Sequence, residues 1–392
     1  MTRQWEPLLH GTDRDRALEI VAALAVAIAA NDEHSGWRGL MGKTGISVFL
    51  AAVQGAGLGD ELGALAKLER GLAEFVDGDA SLGLWNGAAG IRWVISQLVT
   101  GDEAAVFLTY LDRGIERRLT SPDLEDYDLY SGLAGVLLSY ADDASRGDRV
   151  LSLVLDRFER IELFSARRSG LGCAHGIAGV LGALACCRLH GRADARAEPL
   201  MLAIVAALQD ADVSDQRIGW CRGDIGIAIA LLGAAQSLAD DGLANRAVAV
   251  ALAPFARGNG RWPVDAGLCH GAAGLAHLYN RMYQATGDGQ LGDHALTWLR
   301  KTMTMHVSGT GIAGFSMRRS GYEPSWVADT SLLIGASGVG LALLAGATPI
   351  QPSWDRLLGA DIDRKASGQT AATTLGILGA VNDPLTYAVS AR

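Results

Sequence analysis

Basic charge, cysteine and long apolar runs are all scarce in this 392-residue chain, and each shortage excludes a class of protein. Lys and Arg number 34 against 43 Asp and Glu, and no basic run is longer than Arg167-Arg168. No electrostatic footprint for nucleic acid or for an anionic membrane surface results. Charged residues make up 20% and apolar ones 49%, the balance of a globular protein with a large core rather than a disordered one. The longest apolar stretch, IVAALAVAIAA at 20–30, is too short to span a bilayer. The start, MTRQWEPLLHGTDRDRALEI, has mixed charge where a signal peptide carries its apolar core. A cytoplasmic protein without stable membrane insertion is expected. The five cysteines, at 173, 186, 187, 221 and 269, are odd in number and form no C-x-x-C pair. In such a chain, metal binding or catalysis is favoured over a disulfide framework.

Glycine is abundant, with 50 residues, and it is ordered. A Gly-x-x-Gly signature followed by an Ala-rich apolar run occurs seven times: MGKTGISVFL, NGAAGIRWVI, SGLAGVLLSY, HGIAGVLGAL, RGDIGIAIAL, HGAAGLAHLY and IGASGVGLAL. The first glycines are Gly42, Gly87, Gly132, Gly176, Gly223, Gly271 and Gly335, separated by 45, 45, 44, 47, 48 and 64 residues. Such a period marks a repeat architecture. Between signatures lie amphipathic stretches with helical spacing, among them 13–31, 59–76, 147–161 and 288–303. Each period therefore reads as an amphipathic helix, a loop, and a helix apolar all round that must be buried. Seven inner helices paired with seven outer ones suggest an all-α, α/α toroid within a single domain, 1–392; a solenoid of stacked pairs has the same periodicity. The glycines would let the chain turn tightly and let crowded inner helices approach. Residues 347–392 carry no eighth signature, and WDRLLGADI at 354–362 is expected to pack as a C-terminal cap.

Aligning the repeats on the first glycine brings out a constellation. Cys221 and Cys269 each stand two residues before their glycine, and His270 and His175 each stand immediately before theirs. Side by side, the four would share one end of the inner helices. Two thiolates and an imidazole suit Zn²⁺, and three protein ligands leave a coordination position open, as in catalytic sites. Adjacent ligands on a helix point about 100° apart, so Cys269 and His270 must lie in a loop or first turn. Cys186 and Cys187 sit within an apolar run and read as packing residues. His10, His34, His190, His277, His294 and His306 do not share the register.

With its seven signatures, AHG in the fourth repeat, WC-x-G in the fifth and CHG in the sixth, the chain resembles the lanthionine synthetase C family, the lanthipeptide cyclases, over essentially its whole length. The resemblance implies an α/α toroid that binds zinc through Cys221, Cys269 and His270. It also implies proton transfer by His175, with Asp128 orienting that ring or holding its charge and Arg217 stabilising the enolate oxygen. The implied reaction adds a substrate cysteine thiolate to dehydroalanine or dehydrobutyrine, closing a thioether ring. Its substrate would be a dehydrated precursor peptide with a leader, with a dehydratase and a transporter as possible partners. The repeats lack a preceding dehydratase or kinase region, the pattern of a stand-alone cyclase. Arg222 departs from the family, whose peptide cyclases often carry Tyr there, and only 275–334 has room for extra structure. A non-cyclising zinc protein that binds thiols, as a glutathione-adduct former or scaffold, and a prenyltransferase-like toroid are the alternatives. The latter would need a basic diphosphate pocket that the signatures do not supply.

Overall fold

The computed structural model describes residues 4–31, 37–59, 62–76, 81–161, 163, 170–209, 218–258, 262–319 and 325–362. Each signature opens an inner helix: α2 Lys43–Gly55, α4 Ala88–Leu98, α6 Leu133–Tyr140, α8 Ile177–Leu189, α10 Asp224–Leu238, α12 Ala272–Thr286 and α14 Ala336–Ala347. The amphipathic segments form the outer helices α1 Gly11–Ala30, α3 Ala64–Val76, α5 Asp102–Leu119, α7 Gly147–Arg160, α9 Ala197–Gln209, α11 Asp241–Arg257 and α13 Gly289–Thr304. Every residue of α14 is buried, and so is every one of α8 from Ile177 to Cys187. In α7, by contrast, the buried set recurs at helical spacing, Val150, Leu151, Val154, Leu155 and Phe158, leaving a charged outer face.

Periodicity left ring and solenoid open; the contacts decide for the ring. Each inner helix packs on the next, and α14 packs back on α2. The outer helices pair with the inner helix that precedes them, so α1, which has no predecessor, packs on α14. The first outer helix and the last inner helix thus form one pair. At the closing seam Gly340 of α14 faces the Phe49 ring of α2, where a Cβ would lie 2.3 Å from ring carbon Cε2. Gly340→Val should therefore cost about 1–3 kcal/mol by overpacking, read as a lower urea midpoint at unchanged slope. An unchanged midpoint would mean that the seam is loosely packed.

The signature glycines serve the tight turn and close approach expected of them, though not through a special backbone conformation. Those that precede the inner helices have extended backbone, for example φ −152° at Gly87 and −141° at Gly176, which any residue can adopt. What demands glycine is close approach by the incoming loop. A Cβ on Gly179 would lie 2.1 Å from the Cys173 carbonyl oxygen, and one on Gly226 would lie 2.1 Å from that of Trp220. The loop doubles back because it caps the helix. Ala88 N donates to Ser81 O, Leu133 N to Asp126 O, Ile177 N to Gly170 O, Ala272 N to Asp265 O and Ala336 N to Asp329 O, at 2.8–3.0 Å. Backbone carbonyls thus satisfy first-turn N–H groups that a Ser or Asp side chain would otherwise serve.

The same loops are laced to one another around the ring mouth. Met41 N donates to Trp85 O, Trp85 N to Tyr130 O, Tyr130 N to Ala174 O, Ala174 N to Cys221 O, Cys221 N to Cys269 O and Cys269 N to Leu333 O, at 2.9–3.3 Å. This belt of main-chain bonds brings segments 44–64 residues apart into lateral register.

Extra structure falls where the spacing left room for it. A two-stranded hairpin, β1 Met317–Arg319 with β2 Ser325–Val327, precedes α14. The segment expected to cap the ring goes further inward. Trp354–Leu358 forms a buried 3-10 turn whose side chains reach several inner helices. Asp355 bonds His277 and Arg281 of α12, and Arg356 pairs with Asp142 beyond α6. Leu358 O accepts from the Trp220 indole at 2.8 Å. The remainder of the expected cap, 363–392, lies outside the described residues.

Candidate metal centre

The belt presents one side chain per repeat at two levels. Two residues before the glycine stand Leu40, Trp85, Tyr130, Ala174, Cys221, Cys269 and Leu333; one residue before it stand Met41, Asn86, Ser131, His175, Arg222, His270 and Ile334. Since Cys221 N bonds Cys269 O, neighbouring repeats set their side chains beside each other. The ligand atoms of Cys221, Cys269 and His270 all lie within 4.8 Å of one another, and all three residues are half-buried. Cys269 and His270 occupy the turn before α12, not the helix, so adjacent residues can converge.

This donor set fits zinc. Sulfur and imidazole at about 2.3 and 2.0 Å from a tetrahedral ion would lie less than about 4 Å apart, within reach of the observed cluster. As two thiolates and a neutral imidazole, these residues would balance the charge of a bound divalent ion.

His175 stands in the neighbouring repeat, its side chain 49% exposed, with Nδ1 2.7 Å from Asp128 Oδ2. Asp128 is itself held: its Oδ1 accepts from the backbone N–H of Ser131 at 2.7 Å and from its hydroxyl at 3.2 Å. The pairing follows from the repeat geometry. Four residues before the first glycine, repeats two, four, five and six carry Gly83, Gly172, Gly219 and Gly267, each packed against the residue before the next repeat's helix or its neighbour. In the third repeat that position holds Asp128, whose carboxylate therefore meets His175.

The hydrogen bond to Asp128 is the main reason the His175 pKa is raised above the ordinary imidazole value. Partial burial opposes it, the Asp128 and Cys221 charges add to it, and the Arg222 charge works against it. In Asp128→Asn the largest raising cause is gone while burial and Arg222 still lower the value, so the His175 pKa falls. Ring-proton NMR titration reads this directly. An unmoved titration would mean that Asp128 does not control the ring.

Tyr130 was missed by sequence reasoning. Its ring centroid is 5.2 Å from that of His175, and burial, with the nearby Cys269 and Asp128 charges, raises its pKa. The signal was present, because Tyr130 shares the register of Cys221 and Cys269. Cys173 is placed away from metal-binding duty. Its buried thiol donates to Gly226 O at 2.9 Å, and burial pushes its pKa up. Cys186, His190 and Asp361 form a second cluster, but the Arg356 guanidinium already occupies it, with Nε 2.9 Å from Asp361 and a terminal nitrogen 3.2 Å from His190 Nε2. A cation would have to displace that charge. Arg217 lies outside the described residues.

A family profile described as "Lanthionine synthetase C-like protein" matches residues 40–358. The chain belongs to the lanthionine synthetase C-like family. Among solved structures, a nisin cyclase is similar to it at TM-score 0.66 and 20% identity, covering 88% of this chain and 97% of that one. No curated protein matches the sequence. The likeness is one of fold, and among the described residues this member of the lanthionine synthetase C-like family keeps the helical ring. No helix among its described residues is long and apolar enough to cross a membrane.

Proposed function

We propose that the protein is a zinc-dependent peptide cyclase that adds substrate cysteine thiolates to dehydroalanine or dehydrobutyrine, forming lanthionine or methyllanthionine rings. The observation that carries this reading is the convergence of Cys221, Cys269 and His270 within 4.8 Å, one repeat away from the His175–Asp128 pair. Bound by these three residues, zinc would supply an open position whose charge lowers the pKa of an incoming thiol. The protein's own residues then have separable tasks.

Cys221, Cys269 and His270 fix where the substrate sulfur rests, at the mouth of the ring. The sulfur lone pair forms the bond to the β-carbon, and the carbon–carbon π pair moves toward the carbonyl oxygen, giving an enolate. Asp128 accepts from His175 Nδ1 and so orients the ring, leaving Nε2 to deliver a proton to the α-carbon. The Asp128 hydrogen bond raises the His175 pKa and so favours the protonated, donor form of the ring. The thiol proton lost and the α-carbon proton gained balance, so the product is an isomer of the substrate.

The test follows from that balance. Zinc-loaded protein incubated with a dehydrated, cysteine-containing peptide should remove alkylatable thiol at unchanged peptide mass. Full alkylation of every cysteine after incubation would defeat the cyclase reading and leave a thiol-binding protein that does not cyclise.

A further inference from the structure

Arg222 is the departure from the family at this site, and its position gives it a task. It immediately follows Cys221 and immediately precedes the first glycine, in the same register as His175 in the repeat before and His270 in the repeat after. The belt fixes its main chain: Ala174 N donates to the carbonyl of Cys221, and Gly172 packs beneath Arg222, where a Cβ would lie 2.6 Å from the Arg222 Cα. The side chain is exposed, and it forms no ion pair among the described residues. Its charge is nevertheless felt at His175, where it acts against protonation. A permanent cation thus stands at the ring mouth in the repeat between those of His175 and His270, beside Cys221, and no ion pair among the described residues occupies it.

The proposed reaction generates an anion in that interval. The reacting atoms run from sulfur through the β- and α-carbons to the carbonyl oxygen. With sulfur at Cys221, Cys269 and His270, and the α-carbon facing His175, the oxygen on which negative charge collects is that of the adjoining carbonyl, two bonds beyond the α-carbon. We propose that Arg222 binds this carbonyl oxygen as it becomes an enolate, leaving His175 as the sole proton donor at the α-carbon. The inference rests on the cyclase reading and deepens it.

Guanidinium chemistry suits the task better than the neighbouring alternatives. Arg does not give up its proton in proteins, so it holds the oxygen without converting the enolate to an enol. A second imidazole or a carboxylic acid could deliver a proton to oxygen and compete with delivery to carbon. The planar fork of N–H donors also matches an sp² oxygen with two lone pairs. Donors aimed at charge that develops in the transition state contribute to kcat rather than to substrate binding.

The experiment uses full-length zinc-loaded protein carrying Arg222→Gln or Arg222→Lys, with a dehydrated peptide holding one cysteine and one dehydroalanine. Zinc per chain, circular dichroism, peptide affinity by calorimetry, and kcat and KM for ring closure are measured on each. For Arg222→Gln, kcat should fall about 10²–10³-fold, the loss typical of one missing oxyanion donor, while zinc content, helicity and peptide affinity stay at the wild-type level. Arg222→Lys should recover part of the loss, because it restores charge without the fork. A wild-type kcat in Arg222→Gln would overturn the proposal. So would a loss confined to KM, which would make Arg222 a docking residue for substrate, or loss of zinc from both variants, which would make it structural. If wild-type protein itself leaves every thiol open to alkylation, the cyclase reading fails instead, and the two failures are told apart.

Discussion

Cys221→Ala should abolish zinc retention and ring closure together while leaving the helical ring intact. Its belt bonds run through the backbone, from Cys221 N to Cys269 O and from Ala174 N to Cys221 O, and alanine keeps both. Losing the thiolate leaves one sulfur and one imidazole, too few for a tight zinc site, so metal content should fall from about one ion per chain to near none. Elemental analysis after gel filtration measures it, and unchanged circular dichroism shows that the fold survives. Cys173→Ala is the matching control: its thiol is buried and donates to Gly226 O, so zinc should stay. Stoichiometric zinc in Cys221→Ala, or zinc loss in Cys173→Ala, would mean that the ligand set is misassigned.

His175→Asn should have the opposite signature, full zinc content with ring closure slowed about 10²–10⁴-fold, the usual contribution of a positioned acid or base. Asparagine retains a donor for Asp128 but cannot deliver a proton. Any enolate formed is then quenched by water from either face, so the residual product should be epimeric at the α-carbon. The pH dependence follows from the direction of the His175 shift. Because the folded-state pKa is raised, the protonated donor persists above the ordinary imidazole range, and activity declines as pH rises through the raised value. Asp128→Asn lowers that value and moves the alkaline limb to lower pH. Chromatographic separation of the lanthionine diastereomers and a single-turnover pH series measure both effects. An unaffected rate or a single diastereomer in His175→Asn would remove His175 from proton delivery.

The sequence carried the alternation of helices and the positions of Cys221, Cys269, His270 and His175 within their repeats, because a repeat places equal register at equal depth. Asp128 entered through the family resemblance alone, and its pairing with His175 became legible only in the fold, where the glycines four residues before the signatures seat the neighbouring repeat. Ring closure was not legible, since it depends on Phe49 meeting Gly340, 291 residues away, and on α1 pairing with α14. Nor was the inward course of Trp354–Leu358, which depends on single contacts such as Asp355 with Arg281 rather than on any periodic pattern. Which contact demands each signature glycine was hidden for a related reason. Their backbone is unstrained, and only the folded loop reveals which carbonyl a Cβ would strike. Tyr130 was overlooked although its register was visible, because an aromatic before a buried helix ordinarily signals core.

X-ray absorption at the zinc edge tests the central claim most directly. The resting protein should show about two sulfur and one nitrogen neighbours with one further light atom, at the distances of a tetrahedral site. Adding a dehydrated peptide with a single cysteine to the slow His175→Asn variant should replace that light atom by a third sulfur. A zinc-free protein, or a spectrum without two sulfurs that does not change on adding peptide, would contradict it.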